Sequence, residues 1–227
     1  MQTRVILLLM GMSVLIQPLK ADVRILVVDS TNSFSAAEQA FSPRDIATNL
    51  ACVLTGDAAI AGPVSVLCLS FNSNKVVDTL YGQGTVTPTA ENFHIYSLAQ
   101  YFCWPDDRSN ALARLRDGWD YVVLMDDPYI VSALPGYHAQ GAYDTGEEAR
   151  KGGSQPLLLM QWPSASSANT VAGFGEIAYR VGDGAGMPVI PAGFAWDNLS
   201  PALKDISGSH PTPRGAYMSA ACIYAHI

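Results

Sequence analysis

Residues 23–35 read VRILVVDSTNSFS and give the main indication of the fold. Its first six residues are apolar except for Arg24, a pattern typical of a strand that is covered on both faces of a parallel sheet. The run then enters a turn of small polar residues that includes Ser33. Residues 23–35 therefore predict a strand, a turn and the start of a helix, with Ser33 just beyond the carboxyl end of the strand.

Four further short apolar runs continue this pattern along the chain, at 64–69, 121–125, 157–161 and 188–191. Helical segments are predicted between and after them, at 36–54, 92–102, 110–118, 169–184 and 212–225. Alternating strands and helices predict an α/β fold, a three-layer α/β/α sandwich of flavodoxin-like type with a mostly parallel five-stranded sheet. Reactive groups in such sheets gather beyond the carboxyl ends of the strands. The polar stretch 135–155 is interpreted as a surface loop, either an ordinary one or one that covers the site.

The last predicted helix has the clearest start signal in the chain. Thr212 is a good N-cap residue, and Pro213 suits the first helical position, where its missing N–H costs nothing. His210 lies in the loop directly before this helix. We expect the helix to hold His210 in place while its ring stays near the surface.

The first 21 residues have the layout of a secretory signal peptide. Arg4 precedes an apolar run from Val5 to Leu19, and Ala21 supplies a small residue at the expected cleavage site. The run is short for a membrane span, and a buried N-terminal helix or an uncleaved anchor is the alternative. We expect a signal peptide at 1–21, a single domain at 22–227 and a secreted or periplasmic location.

Composition and charge exclude several classes of protein. The chain is 49% hydrophobic and 15% charged, which is ample for a buried core and unlike a disordered protein. Cleavage after residue 21 removes two positive charges and takes the formal net charge from −7 to −9. An acidic domain without a Lys/Arg cluster lacks the electrostatic footprint of a nucleic-acid or anionic-lipid binder. No later segment is apolar and long enough for a membrane span.

Cysteine and histidine spacing indicates neither a metal site nor a cofactor. The four cysteines are far apart and form no C-x-x-C pair, so three disulfide pairings and free buried thiols all stay open. The four histidines have no metal-ligand spacing, and no glycine-rich phosphate motif follows a strand. These residues are Cys52, Cys68, Cys103 and Cys222, and His94, His138, His210 and His226.

Two blocks at opposite ends of the mature chain resemble those of the SGNH (GDSL-type) hydrolases. Thr31–Ser35 is similar to the Gly-Asn-Ser-Phe version of that family's first block, in which the serine is the nucleophile. His210-Pro211-Thr212, together with the Gly, Tyr and Ala that follow at 215, 217 and 220, resembles the last block, whose histidine is the general base. The segments at 119–124, 157–162 and 188–196 resemble internal strands of one branch, in the right order and spacing.

The resemblance implies an exported serine esterase that acts on a small acyl ester, such as an acetyl group on carbohydrate. Ser33 would attack the carbonyl while His210 takes its proton. The N–H of Ser33, a glycine and a polar side chain after the third strand would bind the oxyanion. The glycine is Gly82 or Gly84, although both also suit turns that need positive φ. Aromatic residues near the expected rim offer a carbohydrate surface, or simply belong to the core: Trp104, Tyr129, Trp162 and Trp196.

Three positions depart from the family pattern. Thr31 stands where the first block usually has glycine. Asp126, after Met125, stands where this branch usually has a Gln or Asn donor, and an ionised carboxylate there would repel an oxyanion. The acid that orients the histidine is usually three residues before it, a position held here by Ser207. Asp205 is the prediction for that role; the alternatives are Ser207, a backbone carbonyl or the carboxylate at position 197.

These departures motivate a second hypothesis. The chain would then be a catalytically weak or inactive protein of SGNH fold that binds a glycan or a protein partner. A third idea, a flavodoxin-like binding domain, has no support from a phosphate-binding motif. The hydrolase is the leading hypothesis.

Overall fold

One sheet organises the chain in the computed structural model, which describes residues 22–29, 46–60, 62–72, 75–81, 89–92, 97–99, 112–163, 168–198 and 213–227. Its strands have the spatial order β4-β3-β2-β1-β5-β6-β7. They are β1 (Val23–Asp29), β2 (Val64–Asn72), β3 (Lys75–Tyr81), β4 (Thr89–Asn92), β5 (Tyr121–Met125), β6 (Gln155–Leu159) and β7 (Val189–Ile190).

The five strands β2, β1, β5, β6 and β7 are parallel neighbours, which confirms the predicted five-stranded parallel core of the sheet. β3 and β4 extend the sheet beyond β2 as antiparallel strands, which the sequence analysis did not predict. The run predicted at 157–161 enters the sheet two residues earlier, because β6 begins at Gln155.

Helices follow most of the parallel strands. They are α1 (Ile46–Thr55), α2 (Pro128–Ala133), α3 (Pro135–Lys151), α4 (Val171–Ala185), α5 (Ala192–Asn198) and α6 (Pro213–Tyr224). The helices predicted at 36–54, 169–184 and 212–225 are confirmed in their described parts. In the helix predicted at 110–118, the described residues 112–115 are helical and residues 116–118 are not. The prediction of a helix at 92–102 is wrong at its first residue, because Asn92 pairs with Lys75 and is the last residue of β4.

Alternate residues of the central strand face two separate apolar layers. Ile25 and Val27 of β1 pack into the layer formed with α1 and α6, whereas Leu26 and Val28 pack into the layer formed with α3 and α4. All four side chains are at most 1% exposed. A strand buried on both faces reads as a continuous apolar run, and the three-layer α/β/α sandwich predicted from these runs is confirmed.

The interpretation of 135–155 as a loop is wrong, because residues 135–151 form α3. Pro135 occupies the start of the helix, where proline is tolerated. The buried face of α3 carries small residues instead of the large apolar side chains that mark a typical amphipathic helix. A Cβ on Gly141 would lie 2.8 Å from the carbonyl carbon of Leu98, and one on Gly146 would lie 2.8 Å from Sδ of Met187. Close packing, not hydrophobic periodicity, therefore specifies this helix.

Three of the four cysteines lie in the described part of the chain, and of these Cys52 and Cys222 are free. Cys68 is buried in β2, Cys222 is half-buried in α6 and Cys52 is exposed on α1. Cys103 and the signal peptide predicted at 1–21 lie outside the described residues. None of the described helices combines the length and the apolar character needed to cross a membrane.

Candidate active site

The carboxyl ends of β1 and β5 lie side by side at one edge of the sheet. Asp29, the last residue of β1, pairs with Met125, the last residue of β5. Ser33 follows Asp29 by four residues along the chain. This carboxyl edge is where a parallel sheet presents its reactive groups.

The orientation of α6 follows from contacts near its end. The hydroxyl of Tyr121 donates to the backbone oxygen of Ile227 over 3.0 Å. Tyr121 is the first residue of β5, so the end of α6 lies at the amino edge of the sheet and its start at Pro213 points toward the carboxyl edge. His210 precedes Pro213 by three residues along the chain.

Most of the predicted site residues lie outside the described residues. They are the nucleophile Ser33, the base His210, the acid Asp205 with its alternative Ser207, and the two glycines Gly82 and Gly84. Their roles remain predictions. The other alternative acid, Asp197, is exposed on α5 directly after a fully buried tryptophan.

Asp126 is the predicted site residue whose surroundings are described, and it is 1% exposed. Its Oδ2 accepts a hydrogen bond from Nδ1 of His138 over 3.0 Å. Its Oδ1 accepts from the backbone N–H of Asp127 over 3.0 Å and of Leu98 over 3.3 Å. Both carboxylate oxygens therefore have protein partners, and the side chain ties α3 and residues 97–99 to the end of β5.

The residues on either side of Asp126 pack in the core or cap a helix. Met125 is 3% exposed and packs in the layer under α1 and α6. Asp127 is the N-cap of α2, and its Oδ1 accepts from the backbone N–H of Tyr129 over 2.7 Å. Neither side chain supplies the amide donor expected after the third strand, and the role of Asp126 near an oxyanion remains a prediction.

His138 is a residue of this edge that the sequence analysis did not assign. It is 3% exposed and lies near the start of α3. The signal was present: a helix that begins soon after β5 places its first turn beside the end of that strand. The interpretation of 135–155 as a loop concealed it.

The two tryptophans expected at a substrate rim are part of the core instead. The rings of Trp162 and Trp196 stack with centroids 4.0 Å apart and an interplanar angle of 15°. Both are at most 3% exposed, whereas Tyr129 on α2 is 68% exposed. Of these aromatic residues, Tyr129 alone keeps the exposure that a carbohydrate surface needs; Trp104 lies outside the described residues.

Two buried donors lie two and three residues after the end of β6. Gln161 Nε2 and Trp162 Nε1 have no hydrogen-bond partner in the part of the chain that the structure describes. An unpaired buried donor is costly, so these two side chains are polar groups buried just after β6 without a described partner. Among the described residues, no group of three His, Cys, Asp or Glu side chains could hold a metal ion.

The comparisons with known proteins point to one fold. No protein-family model matches the chain, and no curated protein matches it in sequence. A solved structure from Slackia heliotrinireducens, named as an SGNH hydrolase, has a TM-score of 0.62 and 19% identity over 90% of this chain and 98% of that one. The structure of TesA has a TM-score of 0.60 and 14% identity over 88% of this chain and 96% of that one.

A third similar structure is that of Axe2, an acetyl-xylooligosaccharide esterase from Geobacillus. It has a TM-score of 0.58 and 12% identity over 92% of this chain and 95% of that one. These matches span nearly the whole of both chains, so the likeness extends to the complete domain and not to a shared βαβ unit alone. At 12–19% identity, the likeness shows that this chain has the fold of these structures.

Proposed function

We propose that this chain is an exported serine esterase that hydrolyses a small acyl ester, of which an acetyl ester on carbohydrate is the leading example. Ser33 attacks the acyl carbonyl, and His210 takes the hydroxyl proton and passes it to the leaving alcohol. Water then attacks the acyl-enzyme, with His210 again as base, and releases the acid and free Ser33. Asp205 orients His210.

One observation carries the proposal: the end of β1 and the start of α6 both point to the carboxyl edge of an SGNH-fold sheet. An extended residue spans at most about 3.6 Å. The four residues from Asp29 to Ser33 therefore reach at most about 14 Å, and the three from His210 to Pro213 at most about 11 Å. Chain length thus supports a meeting of the two side chains above this edge.

The substrate class rests on two lines of support. Axe2, one of the similar structures, is an acetyl-xylooligosaccharide esterase. The chain is also acidic, with a formal net charge of −7, which disfavours strongly anionic substrates such as nucleic acid. A neutral acetylated carbohydrate fits both.

The experiment uses the mature domain, residues 22–227, with 4-nitrophenyl acetate as substrate. We expect Ser33→Ala and His210→Ala each to lower kcat by about 10³-fold or more, because nucleophile and base act as a unit. His226→Ala is the matched control, since His226 is exposed near the chain end and hydrogen-bonds the backbone oxygen of Cys222. Equal rates for wild type, Ser33→Ala and His210→Ala would contradict the proposal.

A weakly active or inactive glycan-binding protein is the second candidate, and the side chain of Asp126 is the observation that favours it. A carboxylate cannot donate to an oxyanion, and loss of one such donor typically lowers kcat by about 10²–10³-fold. A fluorophosphonate probe separates the two. Covalent labelling that Ser33→Ala abolishes supports the esterase, whereas no labelling of the folded wild type supports the binding protein.

A further inference from the structure

The buried pair of Asp126 and His138 takes up no proton in the proposed mechanism, and it lies at the carboxyl edge of the sheet, where β5 ends. The two side chains are 1% and 3% exposed and are joined by a 3.0 Å hydrogen bond from Nδ1 to Oδ2. The same carboxylate accepts from the backbone N–H groups of Leu98 and Asp127. One side chain thus connects β5, α3 and residues 97–99.

Stability alone is a poor reason to keep such a pair. Desolvation of two ionisable groups offsets most of their attraction, and apolar replacements of similar volume are often neutral or stabilising. What a satisfied buried polar group does supply is a defined arrangement, because every alternative leaves a donor or acceptor unpaired. The pair therefore favours one position of α3 relative to the sheet.

The packing around the pair leaves little freedom for any other arrangement. A Cβ on Gly141, one turn after His138, would lie 2.8 Å from the carbonyl carbon of Leu98 and 2.9 Å from Cα of Ala99. The backbones of α3 and residues 97–99 are therefore in direct contact. A shift of His138 would move α3, residues 97–99 and the end of β5 together.

The end of β5 is also the neighbour of the end of β1. Met125 pairs with Asp29, and the candidate nucleophile Ser33 follows four residues later. A displacement of about 1 Å in a catalytic arrangement can lower the rate by about 10²-fold. The backbone that Asp126 fixes is thus next to the strand that leads to Ser33.

We propose that His138 is a positioning residue of the esterase: through Asp126 it fixes the backbone at Asp127 and Leu98 and so shapes the wall beside the nucleophile. This inference rests on the proposed function and assigns a role to a histidine outside the proposed triad. His138 acts through Asp126 and does not exchange a proton with the substrate.

The test compares two amides at position 138. In His138→Asn the amide nitrogen takes the place of Nδ1 and keeps the bond to Asp126, whereas the longer side chain of His138→Gln places its amide near the position of Nε2. We expect His138→Gln to lower kcat on 4-nitrophenyl acetate by about 10²-fold with little change in KM. We expect His138→Asn to lose less than about tenfold. Equal loss in both variants, or no loss in either, would overturn the proposal.

A second readout does not depend on activity. Hydrogen exchange of the Leu98 and Asp127 amides should be faster in His138→Gln than in wild type and His138→Asn, while that of Val122 inside β5 should be equal in all three. Unchanged exchange at Leu98 and Asp127 in His138→Gln would refute the positioning role. If wild type lacks esterase activity, the proposed function fails, and the exchange experiment still decides whether His138 fixes this edge.

Discussion

The two helical layers that cover the sheet are held by different interactions. On the α1–α6 side, Trp162 stacks on Trp196, whose indole N–H donates to Oγ of Ser219 over 3.2 Å. On the α3–α4 side, the end of β5 is joined to α3 by the Asp126–His138 pair. Both layers are apolar. The polar contact beside the stacked rings joins two neutral groups, whereas the contact at the end of β5 joins two ionisable side chains.

We expect the two layers to lose different amounts of stability when one polar side chain is replaced. Apolar burial is non-directional, and the stacked rings keep their contact when a hydrogen bond beside them is lost, so most of the stabilisation stays in place. A buried ionisable pair is directional, and the loss of one partner leaves the other without compensation. The α3–α4 layer should therefore be the more sensitive to single polar substitutions, and the α1–α6 layer the more tolerant.

The largest expected effect is that of Asp126→Ala. It removes the acceptor of His138 Nδ1 and of two backbone N–H groups in a site from which water is excluded. We expect the free energy of unfolding to fall by about 3–5 kcal/mol, measured by urea denaturation of the purified domain.

Ser219→Ala is the corresponding change in the other layer. It removes the acceptor of the Trp196 indole N–H but leaves the stacked rings in contact. We expect a cost of about 1 kcal/mol. A cost as large as that of Asp126→Ala would contradict the asymmetry between the layers.

The next effect tests the close contact of α3 with residues 97–99. Gly141→Ala places a Cβ against backbone atoms of Leu98 and Ala99, which cannot move aside as a flexible side chain could. We expect a loss of about 1–3 kcal/mol in the free energy of unfolding, visible as a lower Tm.

Gly136→Ala in the same helix is the matched control, because a Cβ there would meet nothing within 4 Å. Alanine is a better helix former than glycine by about 1 kcal/mol, so this variant should be neutral or slightly more stable. A destabilisation equal to that of Gly141→Ala would show that the loss at Gly141 does not come from its close contact with residues 97–99.

The sequence predicted the parallel sheet better than the α3–α4 layer, and the reason is physical. Val27 and Val28 belong to a run buried on both faces, a pattern few other structures produce. Likewise, Pro213 after a threonine is a strong helix start. The buried face of α3, by contrast, carries small residues such as Gly141 and Thr145. The sequence alone does not show that residues 97–99 lie so close that a small residue is needed there.

The residues of the candidate site also differ in whether the sequence could predict them. Ser33 and His210 were predicted because a family resemblance attaches roles to short blocks around them. His138 was not, since its importance arises from contact with Asp126 twelve residues earlier. A single histidine in a polar segment carries no such information until the segment is known to be a helix. The pair is a property of the tertiary structure and not of any motif.

The smallest expected effect concerns the far end of α3, where Glu148 lies between two cations. Its Oε1 is 2.6 Å from Nζ of Lys151, and its Oε2 is 2.5 Å from a guanidinium nitrogen of Arg116. Burial raises the pKa of Glu148, but the hydrogen bonds and charges of Lys151 and Arg116 outweigh it, so the pKa lies below its ordinary value. The unfolded chain then binds more protons, and this contribution to stability is present above the unfolded pKa and is lost as pH falls through the folded pKa.

Glu148→Gln removes this contribution and therefore its pH dependence. We expect the variant to be less stable than wild type by about 0.5–1 kcal/mol at neutral pH, because both cations are about half exposed and water screens them. The difference should vanish at about pH 3, where the carboxyl groups approach full protonation. Urea denaturation of both proteins at the two pH values measures this difference.

Glu176→Gln is the control, since Glu176 pairs with Arg180 in solvent with both side chains more than 70% exposed. Removal of the Glu176 carboxylate should change stability at neither pH. A gap between wild type and Glu148→Gln that widens as pH falls would contradict the prediction, because it would mean that folding raises the pKa of Glu148.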